Sequence, residues 1–161
     1  MNPAPVHRIV VGVDGSDAAA RALEWAIGVA APLDAEVIAV YAYEIPTYVP
    51  RPNGAPSVPE QENWERAIRQ DFELRWCAPL RAAGVRHRTV FEIGNAGDVL
   101  LRQAETLVAD LVVTGSRGRG ELVELLGGSV SQRMLHRAHC PVVVVPPVRV
   151  ASVAAPSEAT A

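Results

Sequence analysis

Residues 112–145 read VVTGSRGRGELVELLGGSVSQRMLHRAHCPVVVV, and the punctuation of this stretch decides the fold. A β-branched apolar run, Leu111 to Thr114, reaches Gly115. Gly118 follows after two residues, and Gly128-Ser129 after nine more. A helical pattern runs from Ser129 to Arg137, and Cys140-Pro141 then leads into four valines. A strand that stops at a glycine, a long loop and a Gly-Ser helix start together make a cradle for an anion. Unpaired backbone N–H groups and the positive end of the helix dipole both favour negative charge there.

Working outward, Arg8 to Asp14 reads as a buried strand, with Ile9, Val10, Val11 and Val13. Asp14-Gly-Ser-Asp17 is a turn and helix start with Ser16 as N-cap. Leu23, Ala26, Ile27 and Ala30 share one face of the helix that follows. Ala35 to Ala42 is a second strand. Glu44 to Pro59, with five prolines and no apolar period, is a long loop. Trp64, Ala67, Ile68, Phe72 and Trp76 mark a second helix, which Pro79 should break or kink near Cys77. Val85 to Glu92 is strand three, Gly94 to Gly97 a turn, and Leu100, Ala104, Leu107 and Val108 a third helix. Leu111 to Thr114, Ser129 to Arg137 and Val142 to Val145 supply strand four, helix four and strand five. Such alternation predicts an α/β fold: a Rossmann-like, doubly wound, five-stranded parallel sheet with helices on both faces.

The phosphate cradle is neither of the two common ones. No lysine stands at the helix start, as a Walker-type loop requires. The first strand leads into Gly12-Val-Asp14-Gly15 without the G-x-G-x-x-G dinucleotide fingerprint. The spacing that is present, G-x2-G-x9-G-S over Gly115, Gly118, Gly128 and Ser129, resembles the ATP-binding branch of the universal stress protein family. Val10 to Ser16 resembles that family's first strand and turn. Gly128 to Ser131 and His139 to Val143 resemble its fourth helix start and fifth strand. The resemblance spans residues 6–147 as one domain, and implies the strand order 3-2-1-4-5. In a sheet so ordered, the ligand crevice lies at the carboxyl ends of strands one and four, where the winding reverses. Asp14 and Gly115 stand at those two ends.

The resemblance implies ATP as ligand, with Mg²⁺ or Mn²⁺ held by the triphosphate oxygens and water. Gly12, Val13 and Asp14 would contact the nucleoside; Asp14 has the alternative of shaping the turn before helix one. Val40 matches a position whose backbone faces adenine, or is an ordinary strand residue. Gly115 and Gly118 would allow close backbone approach. Gly128, Ser129, Val130 and Ser131 would offer N–H groups and hydroxyls to phosphates, and Arg117 a charge-assisted partner. Arg119 reads as a solvated loop charge. No catalytic base or nucleophile constellation is visible among the four histidines or two cysteines. The expected role is that of an adenine-nucleotide-binding stress sensor or regulator. The alternatives are slow ATP hydrolysis or self-phosphorylation with Ser129 or Ser131 near the γ-phosphate, and a nucleotide-free interaction module.

Composition sets the remaining expectations. The net charge of −3 gives no electrostatic footprint for nucleic acid. There is neither a membrane-length apolar stretch nor a signal-peptide pattern, and the two cysteines lack metal spacing, so a cytoplasmic protein with reduced thiols is expected. The ends, 1–5 and 148–161, have little to bury and are expected to be disordered. Strand five (Val142, Val143, Val144, Val145) is short, apolar and, in the 3-2-1-4-5 order, at the sheet edge. A homodimer pairing this edge is expected.

Overall fold

The computed structural model describes residues 5–45, 58–116 and 129–146. The expectations for Arg117, Gly118 and Gly128, for both ends and for most of the Pro-rich stretch lie outside the described residues; Ser129 is described only by its backbone.

Five parallel strands form one sheet: β1 (Arg8–Gly12), β2 (Glu36–Tyr43), β3 (His87–Ile93), β4 (Leu111–Gly115) and β5 (Val142–Val145). Their order is β3-β2-β1-β4-β5, as the family pattern implies. The helices are α1 (Asp17–Leu33), α2 (Val58–Asp71), α3 (Ala78–Ala83), α4 (Ala96–Thr106) and α5 (Ser129–Arg137). Because strand side chains alternate between faces, the near-continuous apolar strands feed two cores. Ile9, Val11, Val37, Ala39 and Val113 pack with α1, Phe72 and Leu80. Val10, Ile38, Val40 and Val112 pack with Val99, Leu100 and Ala104 of α4 and Met134 of α5. The buried face of α1 is almost all alanine (Ala18, Ala19, Ala22, Ala26, Ala30), so this helix can approach the sheet closely. No helix among the described residues is long and apolar enough to cross a membrane.

Pro79 acts on the second helix by a specific route. Between α2 and α3 the chain forms a π-helical turn, Phe72–Trp76, in which Cys77 N–H donates to the Phe72 carbonyl at 3.1 Å. In this wider pattern the Leu74 carbonyl would receive the N–H of residue 79, which a proline lacks. Arg81 supplies a donor in its place: its guanidinium reaches the Leu74 carbonyl and also that of Glu73, both at 2.7 Å. Cys77 is fully buried at this junction. Burial pushes its thiol up to about 12, against the lowering effect of Arg81 and with a smaller upward push from Glu73. It therefore stays a neutral core group at any physiological pH.

Pro32 lies inside the last turn of α1, whose left-handed cap is Asp34. Boundaries of the third predicted helix differ from the sequence reading: Val108, read into it, lies beyond its C-cap Leu107. The segment read as a turn at Gly94 to Gly97 already starts α4: Asn95 is its N-cap and accepts the Gly97 N–H at 3.1 Å.

At the opposite end of the sheet, Asp110 pins β1 beside β4, accepting the N–H groups of His7 at 2.8 Å and Arg8 at 2.9 Å. Just before it, Val108 has φ 47°, a left-handed conformation that is costly for a β-branched residue, and is 71% exposed. Asn tolerates this region and loses no buried contact here. Val108→Asn is expected to raise stability by about 1 kcal/mol. Urea denaturation checks it; an unchanged or lower midpoint would show that the left-handed residue carries no strain.

Candidate functional site

β1 is the strand from which the winding reverses: it pairs with β2 on one side and β4 on the other. Such a switch point leaves a crevice at the carboxyl ends of the two strands that diverge from it. On the β1 side, Gly12 pairs in register with Val40, and Val13 N–H donates to the Val40 carbonyl at 2.9 Å. The Val40 side chain is buried in the α4-side core, and its carbonyl lies at the level where β1 ends.

Asp14 shapes the turn into α1. Its Oδ1 accepts Ser16 N–H at 2.9 Å and Ser16 Oγ–H at 2.6 Å. Ser16 in turn caps α1, its Oγ accepting Ala19 N–H at 3.2 Å. The structural alternative raised for Asp14 is thus realised in the fold; a ligand contact would come in addition. Between them, Gly15 has φ +79°, and a side chain there would sit 2.5 Å from Cε2 of Trp76. Trp76 belongs to the π-helical turn and also packs on Tyr41, with ring centroids 5.6 Å apart. The turn carrying Asp14 is therefore pressed from one side by an aromatic ring.

Gly115 ends β4, and its missing side chain has a definite occupant. A Cβ there would lie 2.7 Å from the carbonyl carbon of Ala18 and 2.8 Å from its oxygen. The first turn of α1 fills the space on that face. On the other face the contacts are softer: a Cβ at Gly12 would meet only the end of the Leu100 side chain at 3.1 Å and Cγ2 of Thr114 at 3.9 Å. On the α4–α5 side the strand ends are thus bordered by side chains that can give, rather than by backbone. Two hydroxyls are buried at this strand end, Thr114 Oγ1 and Ser116 Oγ, and neither finds a hydrogen-bond partner among the described residues. Thr114 as a whole is 3% exposed.

α5 supplies the wall. It begins at Ser129, lies against β4 and β5, and buries Ser131 and Met134, with Val130 packed on the same core. Its place is fixed by Arg133. The aliphatic part of this side chain crosses Gly97, where a Cβ would be 2.6 Å from Arg133 Cδ. Its guanidinium bonds Asn95 Oδ1 and Asp98 Oδ1, both at 2.8 Å. Glu44, just beyond β2, ties into the same cluster through Asn95 Nδ2 at 2.9 Å and Ala96 N–H at 3.1 Å.

Of the residues the sequence singled out, Gly12, Val13, Asp14 and Gly115 gather at the switch point, with the start of α5 at Ser129, Val130 and Ser131 on the open face. Val40 sits beside them, in register with Gly12 on the neighbouring strand. Thr114, Ser116, Asn95 and Arg133 were not singled out. A threonine breaking the run Leu111 to Val113 was the available signal for the first of these. Among the described residues, no group of three or more His, Cys, Asp or Glu side chains is placed to hold a metal ion.

Outward winding from a central β1–β4 pair, with a carboxylate-bearing turn at one strand end and a helix start beside the other, defines a doubly wound α/β protein with a switch-point crevice. A sequence model described as the universal stress protein family matches residues 5–146, so the chain belongs to the universal stress protein family. Universal stress protein MJ0531 of Methanocaldococcus jannaschii is 32% identical over 144 residues, covering 86% of this chain and 81% of the relative. Among solved structures, universal stress protein UspA from Lactobacillus plantarum superimposes with a TM-score of 0.76 at 22% identity, covering 88% of this chain and 99% of that one. A universal stress protein in complex with cAMP superimposes with a TM-score of 0.63 at 28% identity, covering 89% of this chain and 98% of the other.

The Gly115–Ala18 contact makes a sharp demand on sequence. Gly115→Ala sets a methyl against backbone, which cannot swing aside, and is expected to cost about 2–3 kcal/mol. Chemical denaturation measures it. Wild-type stability in this variant would show that α1 shifts freely and does not close that face.

Proposed function

We propose that this chain binds an adenine nucleotide, ATP foremost, in the crevice between the ends of β1 and β4, and serves as a sensor or regulator in the stress response. The observation that carries the reading is the meeting, at one switch point, of the Asp14 turn and the open face flanked by α5. The adenine nucleotide as ligand class is supported by the 28% identical relative that is a complex with cAMP. In this reading Asp14 and the adjoining backbone of Gly12 and Val13 select the nucleoside. A carboxylate beside phosphates would be repelled, whereas it accepts readily from ribose or base. The phosphates lie toward Ser129, Val130 and Ser131, with Gly118, Gly128 and Arg117 completing the cradle by their spacing in the sequence. The buried, unpartnered hydroxyls of Thr114 and Ser116 suit an occupant that brings its own polar atoms. Mg²⁺ or Mn²⁺ would enter with the triphosphate, held by its oxygens and water. Binding and release, rather than rapid turnover, is the proposed mode.

Calorimetric titration of nucleotide-free protein tests the reading. Asp14→Asn keeps an acceptor for the Ser16 N–H, so the fold should hold. ATP affinity is expected to fall about tenfold, and the preference for ATP over GTP to narrow. Gly118→Ala combined with Gly128→Ala is expected to weaken ATP at least about tenfold, or ~1.4 kcal/mol. Wild-type affinity in both folded variants would defeat the assignment.

A homodimer through β5 is proposed with it. β5 is an edge of the sheet, and its four valines are only half-buried. Val143 and Val145 lean on the α1-side core and Val142 on the α4-side core, which leaves Val144 as the least committed position. Pairing the same strand of a second copy would satisfy the edge. Val144→Lys is expected to shift dimer to monomer in size exclusion with light scattering. A wild-type monomer at micromolar concentration would refute the dimer, and an unaffected dimer would move its interface elsewhere.

A further inference from the structure

The carboxyl end of β4 carries a polar arrangement that the motif spacing does not contain. Val112 belongs to the α4-side core, and strand alternation puts Thr114 on that same face. The nearness of its Cγ2 to the open side of Gly12, beside Leu100, agrees with this. The ladder continues for one more residue, since Ser116 N–H donates to the Val145 carbonyl at 2.9 Å. Thr114 and Ser116 therefore flank Gly115 on the face that α1 does not occupy. Both hydroxyl oxygens are buried, and neither has a partner among the described residues.

An unpartnered buried hydroxyl is costly, whereas a valine of the same shape in its place would cost nothing of the kind. Every other residue of β4 before Gly115 is Leu or Val, so a hydroxyl at position 114 is the exception in an apolar strand. We infer that Thr114 and Ser116 are phosphate-positioning residues, whose hydroxyls are held without protein partners so that they donate to the phosphate oxygens of the bound nucleotide. This rests on the nucleotide reading above and adds to it. The donors offered by the start of α5 on this face favour an occupant rich in acceptors, and a hydroxyl rotates to serve such an oxygen. Gly115, between them, has its Cα side closed by Ala18 and keeps its place in the ladder beside Val145.

The inference makes two readouts move in opposite directions. Thr114→Val removes the orphan, so nucleotide-free protein should melt about 2–4 °C higher. The same variant should bind ATP roughly tenfold more weakly, while adenosine, measured by competition against ATP, should change less than about twofold. Ser116→Ala should lower ATP affinity in the same way and provides a second variant if Thr114→Val folds poorly. A lower melting temperature for folded Thr114→Val would show that the hydroxyl is already satisfied, and would overturn the inference. So would a higher melting temperature with unchanged ATP affinity, or an equal loss for adenosine. Wild-type protein that binds no adenine nucleotide would instead defeat the reading on which the inference rests, and the inference with it. Wild-type binding with an unaltered Thr114→Val defeats the inference alone.

Discussion

The contact between Gly115 and Ala18 sets the geometry on which the rest depends. A glycine at the end of β4 and an alanine face on α1 let helix and strand approach until backbone meets backbone. Nothing larger than hydrogen fits between them. This closes one face of the switch point, and the nucleotide proposed above would have to lie on the other, toward α4 and α5. The same close approach brings the N-terminus of α1 over the strand ends, where Asp14 holds the N-cap residue Ser16 and Ser16 Oγ accepts the Ala19 N–H. Packing density on one side of the sheet thus determines accessibility on the other.

The two walls of the crevice are held by different chemistry. The Asp14 turn is fixed by short-range hydrogen bonds and by Trp76 seated on Gly15, an apolar clamp that reaches back to Tyr41 and Phe72 in the α1-side core. The start of α5 is fixed by a polar cluster at the surface, in which Arg133 joins Asn95 and Asp98, and Glu44 joins Asn95. Exposed ion pairs of this kind contribute little to stability individually, and salt screens them. The apolar hold on α5 comes instead from Met134 and Val130, packed on the α4-side core.

Much of this was legible in the sequence. The strands were readable from β-branched runs, β5 to the residue, because four valines between two prolines admit no other element. The switch-point pair of Asp14 and Gly115 was readable because strand order follows from the family pattern. What a glycine makes room for was not readable. The sequence says that Gly115 lacks a side chain; only the fold says that Ala18 takes the space. The same limit hid Thr114, since a hydroxyl's lack of a partner is a fact about three-dimensional neighbours. Asn95 read as a turn residue; its cap on Gly97 N–H is local, but its bonds to Glu44 and Arg133 join residues distant in sequence. Pro79 announced a disturbance, but the π-helical turn it produces is completed by Arg81, whose reach along the helix no local pattern encodes.

The sheet order also bears on how the chain is made. β1 pairs with β2 after a single helix, but its pairing with β4 joins Ile9 to Leu111, about a hundred residues later. Closing so long a loop comes late in folding, both by its entropy and by the order in which residues leave the ribosome. Until then β1 is the apolar edge of a three-stranded sheet and the switch point itself does not exist, so a nascent chain that ends before β4 would present an edge of the kind that chaperones cover.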